Sequence, residues 1–262
     1  MNKVSKTKQK KSPFISPENI YADTHVGLVR DHNEDSFVYY TNLPSSQCLA
    51  ALADGIGGHE SGDIASNLCL QMLASTFRKL KKCHKWKSGD WGGALKDRII
   101  KANDVIFGLN EKYEIQHPMG TTIVAGVFLE DSVVIAHAGD SRCYRVRKGE
   151  LKRLTEDHSF VAELVKKNII NEEEAQFHPF AHIISRSVGP LDNMEPELST
   201  FDKKPGDRYM FCSDGLTNHV DDGKIKKMLS EAETPAAAVK KLLHTALQGG
   251  GEDNVTVLCV FA

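Results

Sequence analysis

Short apolar runs that stop at an acidic residue, usually beside a glycine, recur along the whole chain and constrain what it can fold into. Leu49-Ala50-Ala51-Leu52-Ala53 leads into Asp54-Gly55, Phe211-Cys212-Ser213 leads into Asp214-Gly215, and Asp253 stands just ahead of the run 255–261. Ala138-Gly139 leads into Asp140, and Glu34-Asp35 precedes the apolar stretch 36–40. Runs this short, bounded by turn residues, read as strands. One Asp-Gly by itself is an ordinary turn; its repetition at strand ends is the informative feature. Asp54 and Asp214 follow the C-terminal ends of strands, whereas Asp253 precedes the start of one. If the last strand runs antiparallel to the others, these carboxylates meet on one rim. Gathered there they repel one another unless a cation holds them, and an all-oxygen site of that kind suits Mg²⁺ or Mn²⁺.

The rest of the pattern is α+β. Residues 36–40 and 49–53 read as strands, the second buried on both faces. Ala65, Leu68, Cys69, Met72, Leu73 and Phe77 repeat at the helical period, and so do Leu95, Ile99, Ala102, Ile106, Leu109 and Tyr113. Between residues 121 and 154 lie the strand-like runs 122–128, 133–138, 142–146 and 150–154, with turns at Glu130-Asp131 and Lys148-Gly149. A meander of adjacent antiparallel strands is their simplest arrangement. Residues 158–178 read as helical, with a second helix start at Glu172. After a strand at 207–212, Thr234-Pro235 opens a helix that Gly249-Gly250-Gly251 ends. Strands and helices in separate blocks indicate stacked sheets flanked by helices.

With 262 residues the chain can bury a substantial core, and a net charge of −2 argues against nucleic acid or an anionic membrane as partner. Lys3, Lys6, Lys8, Lys10 and Lys11 make residues 1–17 a basic tail, expected to be disordered. No apolar segment follows to make it a signal peptide. No apolar run is long enough to cross a bilayer. The six cysteines show no C-x-x-C spacing, which argues against zinc ligation and for a cytoplasmic, reducing setting. Gly55, Gly57, Gly58 and Gly62 invite a phosphate-loop reading. Their spacing matches neither dinucleotide nor P-loop fingerprints, and Asp54 at the head would repel phosphate. Glycine at 55 instead suits a backbone carbonyl that closely approaches a metal.

Arg30-x-x-Asn33-Glu34-Asp35, Ala53-Asp54-Gly55-Ile56-Gly57-Gly58-His59, Gly120-Thr121-Thr122, Ala138-Gly139-Asp140-Ser141-Arg142, Ser213-Asp214-Gly215-Leu216 and Asp253-Asn254-Val255 occur in that order. With 154–159, His178-Pro179 and 185–189, the chain from Tyr21 to Phe261 closely resembles the metal-dependent protein phosphatases, the type 2C serine/threonine phosphatases, in their compact bacterial branch. The resemblance implies a β-sandwich of two antiparallel sheets between pairs of helices, a four-layer α-β-β-α catalytic domain at 18–262, with a flap within about 145–189. It implies two Mn²⁺ or Mg²⁺ ions per chain and hydrolysis of phosphoserine or phosphothreonine by a water bridging them, which reverses protein kinases.

By that resemblance Asp54 bridges both metals, Asp214 and Asp253 complete the first site, and Glu34 with the Gly55 carbonyl serves the second. Asp35 matches the residue that orients metal-bound water, and Arg30 matches the phosphate-binding arginine, whose fork suits two phosphate oxygens. Asp140, Asp214 and Asn218 correspond to ligands of a weaker third ion, with Asn218 where an aspartate is usual. His59 is the candidate general acid; acting through water or packing its loop are the alternatives, because Ile56 stands where animal members carry histidine. The remaining histidines, His137 among them, form no evident ligand set, although His32 and His219 neighbour the motifs. Implied partners are phosphorylated proteins and a Ser/Thr kinase, with the phosphatase itself a monomer. A catalytically dead phosphoprotein-binding relative and a hydrolase of small phosphomonoesters are the rival readings. The first is opposed by the complete carboxylate set.

Overall fold

The computed structural model describes residues 15–41, 47–57, 61–79 and 86–262. Its centre is a pair of five-stranded antiparallel sheets. The first runs in the order β1 (Ile20–His25), β12 (Val255–Phe261), β11 (Arg208–Cys212), β8 (Arg142–Arg147), β9 (Glu150–Arg153). The second runs β10 (Glu197–Asp202), β7 (Ser132–Ala138), β6 (Ile123–Phe128), β3 (Cys48–Ala53), β2 (Ser36–Tyr40). A short third ladder joins β4 (Gly55–Ile56) to β5 (Gly120–Thr121).

The strands at 123–153 do not form one meander. β6 pairs with β7 and β8 with β9, but β7 and β8 belong to different sheets. Gly139, at φ +109°, carries the chain across between them, where a Cβ would press into the Thr122 side chain. Local pattern sets strand and turn but not which sheet a strand joins. The turn at Lys148-Gly149 does form, with both residues at positive φ as a tight hairpin requires.

Three apolar cores stack through the molecule. Between the sheets lie Ala50, Leu52, Val124, Phe128, Ile135, Tyr209, Phe211 and Leu258. Outside the second sheet, Leu49, Ala51 and Ala53 pack with Leu73 and Phe77 of α1 (Gly62–Lys79) and Trp91, Leu95, Ile99 and Ile106 of α2 (Ser88–Lys112). Strand β3 is therefore apolar at every position because it faces a core on each side. Tyr113, expected on the apolar stripe of α2, caps that helix and is exposed. Outside the first sheet, α5 (Asp214–Thr217), α6 (Asp222–Glu231) and α7 (Pro235–Gln248) bury Leu216, Ile225, Leu229, Leu242 and Ala246 against Val255 and Val257. This is the four-layer sandwich. The Thr234 hydroxyl caps α7 by accepting from the Ala237 amide, as its sequence position implies.

Residues 158–178 contain the short helices α3 (Phe160–Lys166) and α4 (Glu172–Gln176), the second starting at Glu172 as its sequence implies. Strands β1 and β10 had no clear signal in the sequence. β10 is an edge strand with alternate residues exposed. At the N-terminal side, Ile15 is buried in the core between the sheets; the basic residues before it lie outside the described residues.

Candidate active site

Strand polarity collects the acidic residues on one edge of the sandwich. Ser36 at the start of β2 pairs with Ala53 at the end of β3, which sets Glu34 and Asp35 beside Asp54. Cys212 near the end of β11 pairs with Val257 near the start of β12, which sets Asp214 beside Asp253. Because β12 does run antiparallel to β11, the carboxylates meet as strand polarity requires. Asp140 joins them from the crossover after β7.

The backbones of Asp54 and Glu34 are held by bonds from distant segments. The Asp54 amide donates to Thr122 Oγ1 (2.9 Å), and its carbonyl accepts from the Thr122 amide (2.8 Å) and the Thr121 hydroxyl (2.9 Å). Thr122 in turn shares a hydroxyl bond with Ser141 (2.8 Å), beside Asp140. The Glu34 amide donates to Asn254 Oδ1 (2.8 Å), while Asn254 Nδ2 donates to the carbonyls of Val26 and His32. Asn254 thus clamps the loop that carries Arg30 and Glu34 to the start of β12. Glu34 Oε1 accepts from the Gly62 amide at the N-terminus of α1, where the helix dipole favours a carboxylate. Gly55 sits so close to the Gly62 backbone and the Glu34 carbonyl that a Cβ would collide with both.

The electrostatics are those of a site built for cations. Burial, then the charges of Asp35, Asp214, Asp140 and Asp253, drive the Asp54 carboxyl well above the usual range. Burial and neighbouring carboxylates also push Asp35 and Asp140 up to about 7. Asp214 and Glu34 are raised too, each chiefly by burial. Asp35 accepts from the Ser213 hydroxyl at Oδ2 (2.8 Å), but its buried Oδ1 has no hydrogen-bond partner. Converging, mutually repelling oxygens with an unpaired buried acceptor fit a divalent cation and have no other evident purpose.

Arg30 donates to Asp253 Oδ2 (3.0 Å) with about half of its side chain exposed (53%). Asn218, expected as a weak oxygen ligand, directs its amide nitrogen at Asp214 Oδ2 (3.3 Å). His59 lies outside the described residues. His219 makes structural contacts: its Nε2 accepts from the Glu252 amide, and its ring lies against Gly250. His32 lines a surface pocket with Asn33, Glu34, Asp63 and Ile64. The supporting residues Thr121, Thr122, Ser141, Ser213 and Asn254 were missed as such. The signal was present, since every one of them lies inside a motif singled out for its acid or glycine.

Residues 28–248 match the family profile described as protein phosphatase 2C. The chain belongs to the protein phosphatase 2C family. It is 33% identical over 243 residues to the serine/threonine phosphatase stp of Listeria monocytogenes, covering 90% of this chain and 93% of that one. Among solved structures, the serine/threonine phosphatase of S. agalactiae superposes with a TM-score of 0.87 at 35% identity, covering 93% of this chain and 98% of that one. The catalytic domain of the phosphatase PstP, in complex with two manganese ions, superposes at 0.78 with 37% identity, covering 92% and 96%. Both the mixed α+β sandwich and the compact bacterial affinity expected from the motifs are therefore established.

Proposed function

We propose that the acidic rim holds two Mn²⁺ or Mg²⁺ ions and that the chain hydrolyses phosphoserine and phosphothreonine in phosphoproteins, reversing a Ser/Thr kinase. The observation that carries this reading is the convergence of Asp54, Asp214, Asp253, Glu34 and the buried Asp35 on one edge, a charge density that no packing or binding role needs. When bound, two such cations make hydroxide available at neutral pH and neutralise charge on a phosphoryl group.

Asp54 is central because its neighbours' charges reach it from both sheets, which suits a bridging ligand. Asp214 and Asp253 would hold one ion, while Glu34 and the Gly55 carbonyl would hold the other. Asp35 keeps one buried acceptor, Oδ1, open, able to hold and orient a proton-bearing group beside Asp54. Arg30, half exposed at the rim and paired with Asp253, would grip phosphate oxygens with its planar fork. Asp140, Asp214 and Asn218 form a weaker third position, because a neutral amide contributes less than a carboxylate. His59 is the candidate proton donor to the leaving alkoxide.

The chain works as a single catalytic unit in the cytoplasm, as a monomer. Among the described residues no helix is long and apolar enough to cross a membrane. The deciding experiment is hydrolysis of a phosphothreonine peptide with Mn²⁺ or with chelator. Metal-dependent turnover supports the reading. Folded, Mn²⁺-supplied protein inert towards phosphopeptides and p-nitrophenyl phosphate would refute it.

A further inference from the structure

A second polar cluster lies outside the acidic rim. His137, near the end of β7, pairs across the sheet with Glu197 of β10. The His158 ring stacks on His137, with centroids 4.5 Å apart and planes 8° off parallel. Both histidines are buried, and with Glu197 their ligand atoms lie within 4.8 Å of one another, close enough for a metal ion. The sequence had given no sign of this set, because its members come from three separate segments.

The hydrogen bonds nevertheless speak against metal ligation. His158 Nδ1 accepts from the Gly139 amide (3.2 Å), so the ring proton sits on Nε2, which faces Glu197 Oε2 at 3.3 Å. His137 Nε2 faces the Glu156 carbonyl (2.8 Å), and an acceptor there places a proton on that nitrogen as well. His158 therefore offers a metal no lone pair. Its bonds do other work: while Nδ1 takes the Gly139 amide, the His158 amide donates back to the Gly139 carbonyl (3.0 Å). Gly139 is held on both sides, in a left-handed conformation, immediately before Asp140.

We propose that His158, oriented by Glu197 and by stacking on His137, is a positioning residue that fixes the Gly139 peptide and so aims Asp140 at the acidic rim. This rests on the reading of Asp140 as a cation ligand. The same residue roots the following segment. The His158 carbonyl accepts from the Ser185 amide (2.8 Å), and Ser159 bridges to Ile184. The main chain of His158 holds the 158–185 excursion, and its ring holds the neighbour of Asp140.

The test compares replacements that keep different halves of the ring. His158→Asn retains an acceptor near Nδ1; His158→Gln retains only a donor towards Glu197. Mn²⁺ binding by calorimetry, the Mn²⁺ concentration for half-maximal hydrolysis of p-nitrophenyl phosphate, and Tm are measured beside Asp140→Asn. The expected result is that H158Q raises the Mn²⁺ requirement about tenfold, as lost supporting bonds around metal ligands do, and matches D140N in calorimetry. H158N stays near wild type. Glu197→Ala, at a partly exposed carboxylate that folding tolerates, shifts the requirement in the same direction by less. An unmoved E197A, or H158N and H158Q that behave alike, overturns the inference while leaving the Asp140 reading intact. If D140N itself is silent, that reading fails and the positioning role falls with it.

Discussion

The acidic rim and the segment from 158 to 189 meet at the same edge of the sandwich, joined where Val188 bridges to Thr121 and where His158 holds Gly139. They are built by opposite means. At the rim, several acidic residues are fixed by partners far away in sequence: Asp54 by Thr122, Glu34 by Asn254, Asp35 by Ser213. In the segment, support is largely local. Ser159 caps α3 through the Ala162 amide, Asn171 and Glu174 cap α4 reciprocally, and Phe177 and Phe180 stand 88% and 50% exposed. Chemistry that needs carboxylates held against their own repulsion requires a frame tied across the whole fold. A surface segment with no such charges to hold can be tied mainly at its roots.

Removing the central carboxylate breaks the rim most severely. Asp54→Asn should lower metal-dependent turnover on the order of 10³-fold, about 4 kcal/mol. The same variant without cations should melt no lower than wild type, because one buried repelling charge has gone. Turnover assays and calorimetric melting check the two halves. Next in size is Gly55→Ala, whose methyl has no room against Gly62 and Glu34. It should cost about 1–3 kcal/mol of stability through overpacking, read from denaturant unfolding.

The rim should also show an unusual pH dependence. Unfolded aspartates release their protons near 3.9, whereas Asp35 and Asp140 in the cation-free fold hold theirs up to about 7. Between these values the folded state binds more protons, so the stability of the chelated protein should fall as pH rises from about 4 to 7. Saturating Mn²⁺ should reverse that slope, because cations take only ionised carboxylates. Thermal melts across this range test both signs. Smallest of all, Phe177→Ser should change stability by no more than about 0.5 kcal/mol. It should leave p-nitrophenyl phosphate turnover alone while changing KM for a phosphoprotein. Equal loss on both substrates would erase the contrast between rim and segment.

Much of this was legible in the sequence, for physical reasons that also mark where legibility ends. Strand β3 and helices α1 and α7 announce themselves because burial on known faces dictates their periodicity. The convergence of Asp54, Asp214 and Asp253 followed from strand polarity alone. By contrast, β10 was invisible because an edge strand with one wet face can be polar. The passage of the chain between sheets at Gly139 was invisible because sheet membership is a long-range property. Thr122, Ser141 and Asn254 lie inside the motifs, but their partners (the Asp54 backbone, the Thr122 hydroxyl, the Glu34 amide) are brought in by the fold, so their supporting role could not be read from the motif alone. Pairing of His158 with Gly139 and Glu197 is of the same kind.

The most direct measurement of the central claim is titration of Mn²⁺ into cation-free protein by isothermal calorimetry, for wild type and Asp54→Asn in parallel. Two tightly bound ions in wild type and at most one in the variant is the predicted result. Folded wild type that takes up no Mn²⁺, or a variant that still takes up two, would contradict it.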